Sequence, residues 1–509
     1  MFGYSSYSIA VTTVGRLIAS ILVVIAGIST RAIAAEDRPN IILIIADDMA
    51  ADDFGAGGNK AVRTPNLDRL AAQGLQFQRA FLTCSSCSPS RSSIITSRYP
   101  HSTDAEQLHW PLPAEQVTFV EQLKHSGYYT AASGKWHLGN PIKKRFDFVD
   151  EAGTAAFQLP TDAAAGAKAM HDDQNASGCA GWVRVLQERP RDRPFFLWLA
   201  AFDPHRDYEP GAAEPPHRPE DVVVPPYFPD TPEVRKDLAM YYDEIARLDS
   251  YVGAVLAELD KQQIAENTMV LFMSDNGRPF PRCKTTVYDS GIRTPLIVRW
   301  PKKIQPGRTT KSLVSSIDIG PTILAAAGVE THPRFFGRSF LSVLSDPSQK
   351  HRDFIFAEHN WHDFDALERC VRGPQFKYIR NWHPEVPLTP PADAVRSPTF
   401  QAMRKLRDEG QLNAAQRRLF DAPQASEQLY DLQADPFELN NLAGRAEYQE
   451  TLREYRARLD QWQKETDDSE MLRSPDEFDR ETGQALKNRA RPRPDKASLR
   501  AARAASSGK

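Results

Sequence analysis

The chain has 509 residues, 41% hydrophobic and 25% charged, which is the make-up of an ordinary globular protein able to bury one large domain and a smaller one. Its formal charge of -3 argues against nucleic acid as a general partner. The five cysteines (Cys84, Cys87, Cys179, Cys283 and Cys370) include only one close pair, which excludes a four-cysteine zinc site.

In chain order, the first element is the apolar run Leu17–Ile28, preceded by Arg16 and followed by small residues up to Ala35. It reads as a signal peptide over residues 1–35, too short for a comfortable membrane span, so export without stable membrane insertion is expected. An uncleaved anchor is the alternative. The destination is a periplasmic, secreted or lysosomal-type compartment. Where that compartment is oxidising, an odd number of cysteines leaves at least one unpaired within the chain.

Ile41–Ala46 is a continuous apolar, β-branched run ending in Asp47 and Asp48. Unbroken rather than alternating hydrophobicity predicts a strand buried on both faces, hence a parallel sheet. "TPNLDRLAAQG" then has a capping Thr64, Pro65 in the first turn and Gly74 as a stop, the marks of a helix. Further strands are predicted at Phe195–Phe202, Thr268–Gly277 and Thr294–Trp300, with an amphipathic helix between the first two. The alternation predicts an α/β fold with a central sheet flanked by helices. From about 350 to 465, short strands and one polar helix predict a smaller α+β subdomain. The expected organisation is therefore a main α/β domain over 36–345, a C-terminal subdomain over 346–465 and a polar, basic, disordered tail over 466–509. That tail is either solvated or a polyanion-binding arm.

Two strands end in acid, at Asp47-Asp48 and Asp275-Asn276. Ligands in open α/β sheets bind beyond the carboxyl ends of strands, and three carboxylates with one amide oxygen suit Ca²⁺ or Mg²⁺ rather than a soft metal. Such pairs also cap turns, so each alone reads first as a structural feature, and only the two together favour a site. In "SSCSPSR", Ser88 is expected to cap a helix and Pro89 to open it, which puts residue 87 where helix N–H groups favour an anion, with Arg91 one turn on. An anion-facing position beside a divalent cation suits transfer of a tetrahedral oxyanion group.

Cys87-Ser88-Pro89-Ser90-Arg91 resembles the C-x-P-S-R signature of type I sulfatases, in which the cysteine is oxidised to formylglycine. "NIILIIADDM", "TPNLDRLAAQG", "GYYTAASGKWHLG", "DPHRDYEP", "SDNGRPFP", "GIRTPLIVRWP" and "LYDLQADPFELNNLA" are similar to sulfatase blocks in family order, over about residues 38–445. The resemblance implies an alkaline-phosphatase-like α/β sandwich and a sulfuric ester hydrolase. It implies Ca²⁺ (or Mg²⁺) held by Asp47, Asp48, Asp275, Asn276 and residue 87, with Cys87 converted to formylglycine. It further implies that Arg91 holds the formylglycine hydrate, Lys135 and Lys284 bind sulfate, His137 assists the hydrate and His205 lies near the leaving group. Lys284 is placed only by its spacing from Asp275. Cys84 is then incidental or a disulfide leg.

"SSCSPSR", "SDNGRPFP", "PDTPEVRKDLAMYYDEIARLDSYVG", "SPTFQAM" and "QWQKETDD" are similar to the N-sulfoglucosamine sulfohydrolase branch. Lys284 and Trp136 depart from that branch beside the sulfate pocket, which leaves N- versus O-sulfate preference open. Glu358, His359, His362, Arg380 and His383 are candidate sugar contacts, because clustered imidazole and aromatic groups suit a sugar ring. The implied partners are a sulfated sugar or glycan and a formylglycine-generating or sulfatase-maturing enzyme; a homodimer stays open. The alternatives are an O-sulfatase of another polysaccharide, a phosphohydrolase of the same superfamily, and a non-catalytic glycan-binding relative. A phosphohydrolase would need Ser or Thr at position 87.

Overall fold

β1 (Asn40–Ala46) feeds two cores at once: Ile41, Leu43 and Ile45 face one, and Ile42, Ile44 and Ala46 face the other. This is why its sequence is uniformly apolar. In the computed structural model, which describes residues 38–152, 176–208, 210–468 and 474–486, β1 is an inner strand of an eight-stranded sheet. The other seven are β2 (Leu75–Phe77), β4 (Tyr129–Gly134), β5 (Phe148–Glu151), β6 (Phe195–Ala200), β7 (Thr268–Ser274), β8 (Leu296–Arg299) and β9 (Arg308–Thr310). β3 (Ala80–Phe81) pairs separately with β10 (Val314–Ser315). The sheet order is β5-β4-β6-β1-β7-β8-β2-β9. It is parallel from β5 to β7, and β8 runs antiparallel to both of its neighbours.

Helices cover both faces. The longest, Pro232–Lys261, starts at Thr231, whose side chain accepts from the Val234 N–H, and has Pro at its first position. Its Leu238, Tyr241, Ile245, Leu248 and Val252 fill the core that receives Ile42 and Ile44.

The C-terminal part adds an antiparallel sheet of β11 (Ile355–His359), β12 (Glu368–Arg372), β13 (Phe376–Asn381) and β14 (Glu427–Asp431), in that order. The helix Gln449–Thr466 lays Leu452, Tyr455, Leu459 and Trp462 against it. Ile355, Ala357, Cys370, Ile379 and Tyr430 of this sheet belong to the same core as Ile41 and Leu43. The two sheets thus share a core.

The expected signal peptide and most of the expected tail lie outside the described residues. Residues 474–486, expected as part of a disordered tail, are instead held in place. Phe478 bridges Ala485, Leu486 N–H donates to the Glu477 carbonyl at 2.8 Å, and Trp361 Nε1 donates to the Pro475 carbonyl at 2.9 Å. The segment is tied down by such hydrogen bonds, by Arg480 donating to the Asp365 carbonyl at 3.0 Å and by Phe478 packing against Phe364, Ala392, Val395 and Phe400. Among the described residues no helix is long and apolar enough to cross a membrane.

Candidate active site

Parallel pairing brings the chemistry together. β1 and β7 run in register with Ala46 opposite Ser274, so Asp47-Asp48 and Asp275-Asn276 leave the sheet side by side. The Asp275 N–H donates to the Ala46 carbonyl at 3.1 Å, and Asp48 N–H reaches Asp275 Oδ1 at 3.3 Å. Lys135 follows β4, its N–H donating to the Ala200 carbonyl at 2.8 Å, and His205 follows β6. Four neighbouring strands therefore deliver their next residues to one carboxyl edge.

Residue 87 arrives from the side on the helix Cys87–Thr96. The helix starts earlier than expected. Ser86, not Ser88, is the N-cap, and Pro89 lies within the first turn, where a missing N–H costs nothing because no carbonyl lies behind it. Cys87 is thus itself the first helical residue. Its Sγ lies 3.6 Å from Asp47 Oδ1 and receives Asn276 Nδ2 at 3.4 Å.

The cations have separate partners. Arg91 donates through Nε to Asp275 Oδ2 at 2.7 Å and through NH1 to the Lys135 carbonyl at 3.1 Å. Lys135 Nζ binds Asp47 Oδ2, and Lys284 Nζ binds Asp48 Oδ2 at 2.7 Å. His205 Nε2 is 3.8 Å from Asp48 Oδ2, and its Nδ1 contacts the Arg206 carbonyl. His137 Nε2 meets His109 Nδ1 at 2.8 Å.

The electrostatics separate the three aspartates. Burial pushes Asp47 up, but Lys135, His205, Arg91 and Lys284 together hold it well below the usual carboxylate range. Asp48 is lifted to about 6 by burial, with Asp47 and Asp275 adding repulsion against Lys284 and His205. Asp275 is likewise lifted to about 6 by burial, against the pull of Arg91. Carboxylate oxygens of all three lie within 4.8 Å of one another. Asp48 Oδ1 and Asn276 Oδ1 are buried acceptors with no hydrogen-bond partner. A crowded, all-oxygen set with two unanswered acceptors fits a hard divalent cation, which would relieve the repulsion. Burial also pushes the Cys87 thiol well up despite Lys135 and Lys284, so as an ordinary cysteine it is protonated and a poor nucleophile. His137 is driven well down by burial, then by Lys135 and His109, and is neutral.

Five of these residues, Cys87, Lys135, His137, His205 and Lys284, line a cavity of about 580 Å³. Of the five candidate sugar contacts only His362 lines it, with its Nδ1 at 2.7 Å from Ser86 Oγ. The other four point their polar ends at internal partners. Glu358 accepts from the His101 N–H at 2.7 Å, His359 faces Glu368 at 3.4 Å, His383 faces Asp365 at 3.2 Å, and Arg380 binds Asp460 at 2.7 Å. Sequence proximity to an aromatic cluster did not report direction. His109, Asp363, Asp393, Arg396 and Phe478 also line the cavity and were not anticipated. They come from loops, from the short helix Ala392–Val395 and from the supposed tail; Asp363 directly follows the candidate His362. All five cysteines are buried and none forms a disulfide, which removes the disulfide role considered for Cys84.

Fold and site together define a hydrolase of tetrahedral oxyanion esters or amides built on a mostly parallel α/β sheet. The sulfatase profile matches residues 39–329, and the profile described as N-sulphoglucosamine sulphohydrolase, C-terminal, matches residues 282–386. The chain belongs to the sulfatase family and is a sulfuric ester hydrolase. It is similar to an ulvan-active sulfatase of Formosa agariphila, 32% identical over 463 residues, covering 84% of this chain and 75% of that one. It is equally similar to the N-sulphoglucosamine sulphohydrolase of Homo sapiens, 32% identical over 477 residues, covering 85% and 91%. A solved structure of BT4656 with its substrate D-glucosamine-2-N,6-O-disulfate superposes with a TM-score of 0.62 at 20% identity, covering 87% of this chain and all of that one. The fold is the alkaline-phosphatase-like sandwich of the sulfatases.

Proposed function

We propose that this enzyme hydrolyses a sulfate ester or N-sulfate on a sulfated sugar, using formylglycine at position 87 and Ca²⁺, or Mg²⁺, as its divalent ion. One observation carries the reading: Cys87 sits at the carboxyl edge 3.6 Å from Asp47, in a cavity also lined by Lys135 and Lys284. Oxidation of Cys87 supplies an aldehyde hydrate, whose two oxygens suit attack on sulfur followed by release. A cation held by Asp47, Asp48, Asp275 and Asn276 supplies positive charge beside that group. Lys135 and Lys284 offset charge on the sulfate oxygens. Arg91, fixed by Asp275, holds the residue-87 side chain in place. The neutral His137 is suited to take a proton, and His205 to give one to the departing oxygen or nitrogen.

The relatives named above act on ulvan and on N-sulphoglucosamine, which supports a sulfated sugar and leaves both N- and O-sulfate as targets. We further propose a catalytic part over 36–345 with a C-terminal subdomain over 346–465. Export and a maturing enzyme that oxidises Cys87 complete the reading. The test is the mass of the tryptic peptide Ala80–Arg91 from protein made in its own host, followed by assay on N- and O-sulfated glucosamine. An aldehyde at residue 87 with sulfate release supports the proposal. An unmodified thiol in an enzyme that still releases sulfate overturns it.

A further inference from the structure

The cavity lining carries charge of both signs, including Lys135, Lys284 and Arg396 together with Asp393 on the short helix Ala392–Val395. Asp393 Oδ1 accepts from the Ala394 N–H at 2.8 Å, which fixes the carboxylate. Asp393 Oδ2 is shielded from water, has no hydrogen-bond partner, and stands 3.9 Å from His205 Nε2. The same imidazole nitrogen is 3.8 Å from Asp48 Oδ2. His205 therefore stands between the reacting centre and Asp393.

The nearby guanidinium groups are committed elsewhere. Arg396 donates to the Gly483 carbonyl at 2.7 Å, and Arg206 forms a two-pronged pair with Asp237 at 2.7 and 2.8 Å. Burial pushes Asp393 up, but Lys284, His205 and Arg396 outweigh it and hold the group below the usual carboxylate range. It is ionised and can only accept. A shielded carboxylate oxygen without a donor is costly, and a ligand that supplies the donor accounts for it.

We propose that Asp393 is a specificity-determining residue that accepts a hydrogen bond from a hydroxyl or N–H borne by the sugar beside the atom that leaves. A leaving atom held at His205 Nε2 puts its neighbouring substituent within reach of Asp393 Oδ2. The residue thus reads the sugar and not the sulfate. This inference rests on the sugar-sulfate reading above.

The test compares matched pairs of substrates with the full-length, formylglycine-containing enzyme. Glucosamine N-sulfate is paired with cyclohexyl sulfamate, and glucosamine 6-sulfate with cyclohexylmethyl sulfate. Each cyclohexyl compound keeps the type of leaving atom and removes the neighbouring donors. Asp393→Asn keeps an oxygen for the Ala394 N–H and turns an NH₂ toward the substrate. It is expected to lower the ratio of kcat/KM, sugar over cyclohexyl, by about 10- to 100-fold, the range of one charge-assisted hydrogen bond. Should that variant not fold, Asp393→Ser, which retains a short acceptor for the helix, is measured in its place. An unchanged ratio overturns the inference, including the case where both substrates fall together because Asp393 acts through His205. A wild-type enzyme that releases sulfate from both cyclohexyl compounds and from neither sugar overturns the sugar-sulfate reading itself.

Discussion

Asp47, Asp48 and Asp275 are fully buried carboxylates with three buried cations against them, and removing one member leaves its partner stranded. Asp275 serves both Arg91 and the proposed cation. Asp275→Asn keeps an oxygen for the Arg91 Nε and removes a unit of negative charge. Sulfate release should fall at least about 100-fold, with bound Ca²⁺ falling in parallel while the fold is retained at a lowered thermal midpoint. Full activity with no bound Ca²⁺ would remove the metal assignment. Cys84 is the contrasting case. Its thiol is buried and its nearest acceptor is the Ser86 carbonyl at 3.9 Å, with no disulfide to lose. Cys84→Ser should leave kcat/KM within about twofold and cost about 1 kcal/mol of stability; a folded but inactive variant would return the Cys84–Cys87 pair to the chemistry. The strand-end acids and the C-x-P-S-R block were legible in the sequence because each is a short local pattern with a physical reason. Asp393 and His109 were not. Neither belongs to a block that the sequence singled out, although "SPTFQAM" starts four residues after Asp393, and only tertiary folding brings them to the cavity.

The strands were legible as elements because a strand buried on both faces must be apolar throughout, as Ile41–Ala46 and Thr268–Ser274 are. Their order was not, since nothing in β1 specifies that β6 and β7 flank it, and that order creates the site. Gly134 shows how tight the arrangement is. It closes β4 with φ at 99°, and a Cβ there would lie 1.9 Å from the Ala200 carbonyl oxygen on β6. Only glycine allows both the left-handed turn and the close approach that aim Lys135 at Asp47. Gly134→Ala should cost at least about 1 kcal/mol, read as a lowered urea midpoint. It should also lower kcat/KM by more than the stability loss accounts for, because Lys135 is displaced. A variant as stable and active as wild type would show that β4 can move without consequence. The helix carrying residue 87 teaches the converse. Ser-Pro is a sound start signal, yet the helix starts two residues earlier, at Ser86, which places Cys87 itself on the helix, 3.6 Å from Asp47.

At the scale of the molecule, buried ion pairs tie the C-terminal segment to the earlier part of the chain, through Asp289 and Asp318, and to itself, through Asp468. Asp289 meets Lys377 of β13 at 2.7 Å and Arg372 of β12 at 3.2 Å. Asp318 meets Arg352 and His351, and Asp468 meets Arg369 of β12 at 2.6 Å. Burial raises each of these carboxyls, but the adjoining cations outweigh it, led by Lys377 for Asp289, Arg352 for Asp318 and Arg369 for Asp468. All three therefore lie well below the reference value of 3.8. A folded value below the unfolded one gives stability that is present above about pH 4 and is lost as pH falls toward the folded value. His101 has the opposite sign. Burial lowers it, but Glu358 raises it further, above 6.5, so its contribution is complete below that pH and is lost as pH rises through the folded value. The urea midpoint should accordingly decline below about pH 4 and keep declining with further acid. Asp289→Asn should be less stable than wild type at pH 7, with a shallower acid limb, because the carboxyl that drives part of the decline is gone. Acid limbs of equal slope for the two proteins would mean that Asp289 titrates alike folded and unfolded. The join between the two sheets would then rest on their shared apolar core, Ile355 and Ala357 against the strands of the large sheet, and not on charge.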